Sequence, residues 1–235
     1  MKILKLCFVA LSLLMVLNTN AQKSPKNSMG GSDRSKFSIQ FGAGTASYLG
    51  DLIEKNRLFN KPNYAFSGGL LYDFTNRISG KINFGVSKIE ANDKDNKRAD
   101  LRARNQSFRA KLFDWSIGGE FTIFDLDKHR LSPFVSAGVG AVFFYPYNFD
   151  AAGKKRDLRA LRTEGQAQPY EEVAWQFPVG AGAKYKFNDV VTLKLEFNYH
   201  ITSTDYLDDV SKAPRGNPNK NDAFYTTQFK VAFKF

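Results

Sequence analysis

Tyr225-Thr226-Thr227-Gln228-Phe229-Lys230-Val231-Ala232-Phe233-Lys234-Phe235 is the last stretch of the sequence. Tyr225, Thr227, Phe229, Val231, Phe233 and Phe235 share one parity, while Thr226, Gln228, Lys230, Ala232 and Lys234 share the other. A period of two is that of a β-strand, in which successive side chains point to opposite faces. One face is apolar and the other polar. The alternation reaches the last residue, where chains usually fray.

Seven further segments upstream carry the same alternation. With this one they cover about residues 37–48, 63–74, 77–89, 106–124, 132–146, 173–187, 190–203 and 223–235. Each reaches the roughly 9–11 residues that a membrane-spanning strand needs. The connections alternate between long and short. Short ones are Thr75-Asn76, Asp125 to Leu131, and Asn188-Asp189; long ones cover about 49–62, 90–105, 147–172 and 204–222. Short periplasmic turns and long extracellular loops are the topology of outer-membrane barrels. The expected fold is therefore all-β: an eight-stranded antiparallel transmembrane β-barrel with four long extracellular loops, three short periplasmic turns and both termini in the periplasm. A strand closed by an aromatic suits such a barrel, and Phe235 resembles the signal read by the outer-membrane barrel assembly machinery, an expected partner.

The other end of the sequence agrees. Lys2 and Lys5 precede an apolar run from Leu6 to Leu17, followed by Thr19-Asn20-Ala21. This is the pattern of a secretory signal peptide over 1–21, cut after Ala21. The run is shorter than the roughly 20 residues of a spanning helix. Cys7 lies inside it, so the exported chain is expected to hold no disulfide, thiolate metal site or cysteine nucleophile. Residues 22–36 are rich in Lys, Ser, Gly and Asn and read as a short disordered periplasmic tail. The barrel then occupies 37–235. Without Lys2 and Lys5, 32 basic side chains stand against 23 acidic ones, a net charge of +9. In an exported chain that balance suits lipid headgroups and lipopolysaccharide, not nucleic acid.

The rival fold is a soluble lipocalin-like barrel, which has the same alternation turned inside out. Side-chain size separates the two. One face carries Ser38, Gln40, Gly42 and Gly44, then Asp114, Ser116, Gly118 and Glu120, then Gly180, Gly182 and Lys184. The opposite face carries Phe37, Ile39 and Phe41, then Phe113, Trp115 and Ile117, then Leu193, Leu195 and Phe197. A narrow eight-stranded interior takes the small polar set and lipid takes the large apolar one. Lys81, Asp114, Glu120, Lys184, Lys194, Glu196 and Lys230 then fall in the lumen, where unpaired charge is costly and pairing is expected. Tyr64, Tyr72, Phe74, Trp115, Tyr145, Trp175, Tyr185, Phe187 and Tyr225 lie near strand ends, as interfacial girdles do.

No catalytic constellation is legible, and no cofactor or metal is expected. His200, Ser203 and Asp205 are close in sequence, but His200 has lumen parity and Ser203 does not, whereas a nucleophile and its base must touch. Asp51, Asp205, Asp208 and Asp209 lack the spacing of a calcium loop. His129 lies in a short turn beside Lys128 and Arg130. Lys154-Lys155-Arg156, with Arg159 and Arg162, reads as a solvated outer loop within reach of lipopolysaccharide phosphates. Gly42-Ala43-Gly44, Gly138-Val139-Gly140 and Gly180-Ala181-Gly182 sit mid-strand and are not phosphate loops.

Several stretches together carry a resemblance. They are Tyr48-Leu49-Gly50-Asp51-Leu52; Phe113-Asp114-Trp115 through Phe124-Asp125-Leu126 to Leu131-Ser132-Pro133-Phe134; Thr163-Glu164-Gly165-Gln166 leading to Gln176-Phe177-Pro178-Val179-Gly180; and Thr204-Asp205-Tyr206-Leu207-Asp208-Asp209-Val210-Ser211. From about residue 37 onward the chain resembles the family of small outer-membrane β-barrels that includes PorG, a component of the type IX secretion system. The resemblance implies an eight-stranded barrel associated with periplasmic components of a secretion machine, and no enzymatic activity. Three functions stay open: a structural or accessory barrel, an outer-membrane enzyme acting on lipid, and a surface-binding barrel acting through its long loops.

Overall fold

The computed structural model describes residues 36–49, 61–92, 107–150, 152–161, 168–209 and 221–235. The expected signal peptide, nearly all of the tail, Gly50 to Leu52, Arg162 to Gln166, Val210 and Ser211 lie outside them. The elements are β1 (Phe37–Leu49), β2 (Asn63–Asp73), β3 (Ile78–Asn92), β4 (Ser107–Thr122), β5 (Leu131–Phe149), β6 (Lys155–Asp157), α1 (Leu158–Leu161), β7 (Val173–Lys186), β8 (Val191–Thr202) and β9 (Ala223–Lys234). β1 pairs antiparallel with both β2 and β9, from Ser38↔Lys234 to Leu49↔Ala223 along the closing seam. β4 pairs with β5, β5 with β7, and β7 with β8, so eight strands form a cylinder without a free edge. Closure is what lipid demands, because an open edge there would leave backbone N–H and C=O groups unbonded.

All eight expected strands are present, with ends moved by a few residues. β3 runs on to Asn92 and β5 to Phe149. The basic stretch expected as a plain loop instead contributes β6, which folds back onto β5 through Tyr147↔Asp157, Asn148↔Arg156 and Phe149↔Lys155. Opposite Phe177 and Pro178 the β5–β7 ladder skips Gly138 and Val139, at the position where Pro178 offers no N–H.

The alternation divides the wall as anticipated. In β4, Ser116 and Glu120 are buried inward while Phe113, Ile117 and Phe121 are exposed outward. Phe41, Phe66, Phe84, Leu195, Phe197 and Phe229 extend the outward belt around the cylinder. An apolar band of that extent is a liability in water and a requirement in lipid. Eight of the nine aromatics read as girdle residues face outward; Tyr225 has outward parity but is buried beside Phe197 at 5.5 Å. Two glycines show how tightly the wall is wound. A Cβ on Gly140 would collide with the Trp115 carbonyl, and one on Gly182 with the Leu195 carbonyl, so both positions exclude any side chain.

Leu195 is 56% exposed at mid-strand on the belt. Leu195→Arg is expected to cost about 2–4 kcal/mol in a folding titration into lipid vesicles. A spin label at 195 should report lipid, and a watery signal there would reverse the assignment of inside and outside.

Candidate functional site: a sealed lumen and its rims

The inward side chains form three layers along the barrel axis. The layer nearest the short turns is ionic. Glu196 accepts a hydrogen bond from Lys81 at 2.8 Å and is ion-paired with Lys230 at 2.7 Å; Glu120 accepts from Lys194 at 2.6 Å and is ion-paired with Lys184 at 2.5 Å. Lys194 also donates to Gln40 Oε1 at 3.2 Å, and Lys184 to Thr122 Oγ1 at 2.8 Å. The Phe134 ring lies under both Lys184 and Lys194, at 5.3 and 4.8 Å. Each carboxylate thus joins two strands to a third across the interior, and these residues are almost completely buried. Ion pairs this short in a dry interior hold only because every partner is fixed by a strand.

The middle layer is built from amides, hydroxyls and one imidazole. Gln176 Nε2 donates to Asp114 Oδ1 at 3.4 Å and to the Trp115 and Ala141 carbonyls at 3.2 and 3.3 Å. Gln176 Oε1 can only accept, so the His200 Nδ1 found 2.9 Å away carries the proton; Nε2 then accepts from the Thr226 hydroxyl at 3.4 Å. His200 stacks on Phe224 with ring centroids 4.2 Å apart. Asp114, expected to pair with a lumen cation, bonds an amide instead. A cavity of about 20 Å³ remains among Asp114, Asn83, His200 and Thr226, the volume of a water molecule and not of a channel.

The layer at the end away from the short turns departs from the expectation of a polar lumen. Ala46, Tyr48, Ile89, Phe108, Leu112, Val142, Phe144 and Phe224 all point inward and form an apolar core across the mouth. Leu207, fully buried, joins them from the segment that follows β8. The single proton of the Tyr48 hydroxyl is shared between Asp222 Oδ1 at 2.5 Å and Asp208 Oδ2 at 2.7 Å, and Asp222 Oδ2 accepts the Leu207 N–H at 3.1 Å. Tyr170 stacks on Tyr206 at 4.5 Å and donates to Asp209 Oδ1 at 2.9 Å. Burial, then the Asp209 carboxylate, raises the Tyr170 phenol well above its ordinary pKa, so it stays a donor. The Asp205-to-Asp209 run therefore folds into the mouth as a stopper.

Tyr48→Phe removes the hydroxyl shared by Asp208 and Asp222. A loss of about 1–3 kcal/mol is expected in urea titrations of the folded barrel, with faster proteolysis between β8 and β9.

The opposite rim is also tied together. Asn76 donates to Asp125 Oδ2 at 3.2 Å, linking the β2–β3 and β4–β5 turns. Lys186 reaches Asp127 at 2.7 Å and Asp189 at 2.9 Å, linking the β4–β5 and β7–β8 turns. The Asp127 N–H on its carboxylate, and then Asn76, hold Asp125 below the usual carboxylate pKa.

The residues weighed for chemistry are not brought together. His200 lies inside the wall, whereas the exposed Ser203 takes the Trp175 N–H on its hydroxyl at 3.0 Å. Asp205 is buried and Asp208 and Asp209 serve the stopper, while Asp51 is outside the described residues. Among the described residues no cluster of three or more His, Cys, Asp or Glu could hold a metal ion. The stopper and the linked turns were missed from sequence; the only sign of the former was inward parity of bulky apolar residues near the strand ends.

A closed eight-stranded cylinder, apolar outside and filled inside, defines a transmembrane β-barrel. Residues 9–235 match the outer membrane protein beta-barrel domain, and the chain belongs to that family. Among solved structures it is similar to Neisserial surface protein A, at 14% identity and a TM-score of 0.52, covering 86% of this chain and 98% of that one. Ail of Yersinia pestis (13% identity, TM-score 0.47, 86% and 99% covered) and the outer membrane enzyme PagL (11%, 0.37, 83% and 97%) also match. No curated protein matches the sequence. The likeness to these structures is one of fold.

Proposed function

We propose that this chain is a non-enzymatic, PorG-like barrel of the outer membrane, serving as a structural or accessory component of type IX protein secretion. The observation that carries the reading is the sealed interior. With ion pairs, amides and an apolar stopper filling the lumen, function falls to the surfaces. The long loops face outward and both termini lie in the periplasm. The short turns, held together through Asn76, Asp125, Asp127 and Lys186, then give periplasmic components of the machine a fixed surface to dock on. The Asp205-to-Asp209 run, the most specific part of the resemblance, supports the barrel by closing its mouth. Phe235, exposed and aligned with Phe37 through a 3.2 Å backbone bond, is the contact for the barrel assembly machinery.

The test is deletion of the gene followed by measurement of type IX cargo outside the cell. Cargo should remain inside and return to the medium on complementation. The double variant Asp125→Ala/Lys186→Ala should insert normally yet fail to complement. Undiminished cargo release from the deletion strain removes the secretion role and leaves the surface-binding reading.

A further inference from the structure

The outer wall carries a groove that the sealed interior does not explain. In one row across β4, β5 and β7, Trp115 lies opposite Ala141 and Ala141 opposite Trp175. Two indoles, 36% and 60% exposed, flank the smallest side chain that could stand between them. With strands about 4.8 Å apart, the two tryptophan backbones are about 10 Å apart. Ala141 thus floors a slot about as wide as one hydrocarbon chain. Tyr170 and Tyr206, stacked on each other, line the groove with Ser203 and Thr204, giving an open space of about 610 Å³.

The groove opens directly on the lipid-facing belt, which decides what can enter it. Above it the wall turns basic. Lys111 is on the same face of β4, four residues from Trp115 and so about 13 Å farther out. It lies beside Lys88, and no acidic partner meets it among the described residues. Arg109 lies one row higher, bridged to Glu90 at 3.3 Å, and Lys155 covers the neighbouring Tyr147 ring at 4.4 Å. Glu171 borders the groove on the β7 side, so an anionic headgroup would lean toward β4. An apolar slot at membrane depth below a cationic rim matches a lipid with a phosphorylated headgroup.

We propose that the Trp115–Ala141–Trp175 groove holds an acyl chain of lipid A, with its phosphate on Lys111 and Arg109. The proposal rests on the placement of this rim in the outer leaflet, not on a role in secretion. Its test uses purified protein and fails or succeeds whatever the cargo phenotype.

The sequence contains two tryptophans, and both line the groove, so intrinsic fluorescence reports on it directly. The full barrel is placed in nanodiscs of doxyl-labelled phosphatidylcholine, which quenches the indoles, and purified lipid A is titrated in. Emission should recover saturably at lipid A fractions too low to dilute the quencher, and native mass spectrometry in detergent should find a one-to-one adduct. Ala141→Phe, which fills the slot, should reduce adduct and recovery by about tenfold. Ala141→Leu serves the same purpose should the larger side chain prevent folding. Ala43→Phe makes the equivalent change between Phe66 and Phe229 and should behave as wild type. Lys111→Glu should weaken lipid A binding while leaving quenching by phosphatidylcholine unchanged. Recovery only in proportion to dilution, or a wild-type response from Ala141→Phe, overturns the site.

Discussion

Glu196→Gln is expected to cost about 3–5 kcal/mol, the scale of breaking a buried ion pair, because it leaves two lysines without their carboxylate. Glu196 is fully buried and meets Lys81 and Lys230 on its two oxygens. An amide keeps the shape and loses the charge, so packing is nearly unchanged while the electrostatic balance is not. Four lysines face two glutamates in this layer, so removal of one carboxylate leaves an excess that Glu120, already engaged by Lys184 and Lys194, cannot absorb. The measurement is the urea midpoint of the refolded barrel in vesicles. Adding Lys230→Met to Glu196→Gln should recover a good part of the loss, since coupled neighbours are not additive. A loss near zero, or no coupling between the two, would mean that water reaches the layer and the barrel is not dry.

The ionic layer was legible in the sequence because parity alone assigned its members. Lys81, Glu120, Lys184, Lys194, Glu196 and Lys230 each interrupt a strand on its small-residue face, and that face had to be the lumen. Their partners were not legible: Lys194 meets Glu120 across 74 positions, and nothing local selects Glu120 over Glu196. The outer third was misjudged for a related reason. Ile89, Phe108, Leu112, Phe144 and Phe224 share lumen parity, but near the strand ends apolar residues occur on both faces and the alternation loses contrast. The stopper depends on Tyr48 finding Asp208 at a separation of 160 residues, which no periodicity encodes. Tyr225 misled for the opposite reason, since its outward parity suggested a girdle and its surroundings bury it. The eight strands survived all of this, because each is set by a pattern of its own length.

The layered filling makes an electrical prediction with a large contrast. In planar bilayers the purified barrel should show no stable pore, because an eight-stranded interior is narrow enough for side chains to fill. Either seal alone should suffice. Replacing Leu207 and Phe224 with alanine weakens the apolar stopper but leaves the Lys–Glu layer across the path. Removing Lys194 and Glu120 as a pair, by Lys194→Ser and Glu120→Ser, opens the ionic layer but leaves Tyr48, Leu207, Phe108 and Phe144 packed across the mouth. Only the combined variant, with Gln176→Ser added to break the amide layer between the two seals, should conduct. Conductance from the wild type would mean that the interior contacts open in lipid. Conductance from the stopper variant alone would place the whole seal at the mouth and leave the ionic layer to support the wall without blocking flow.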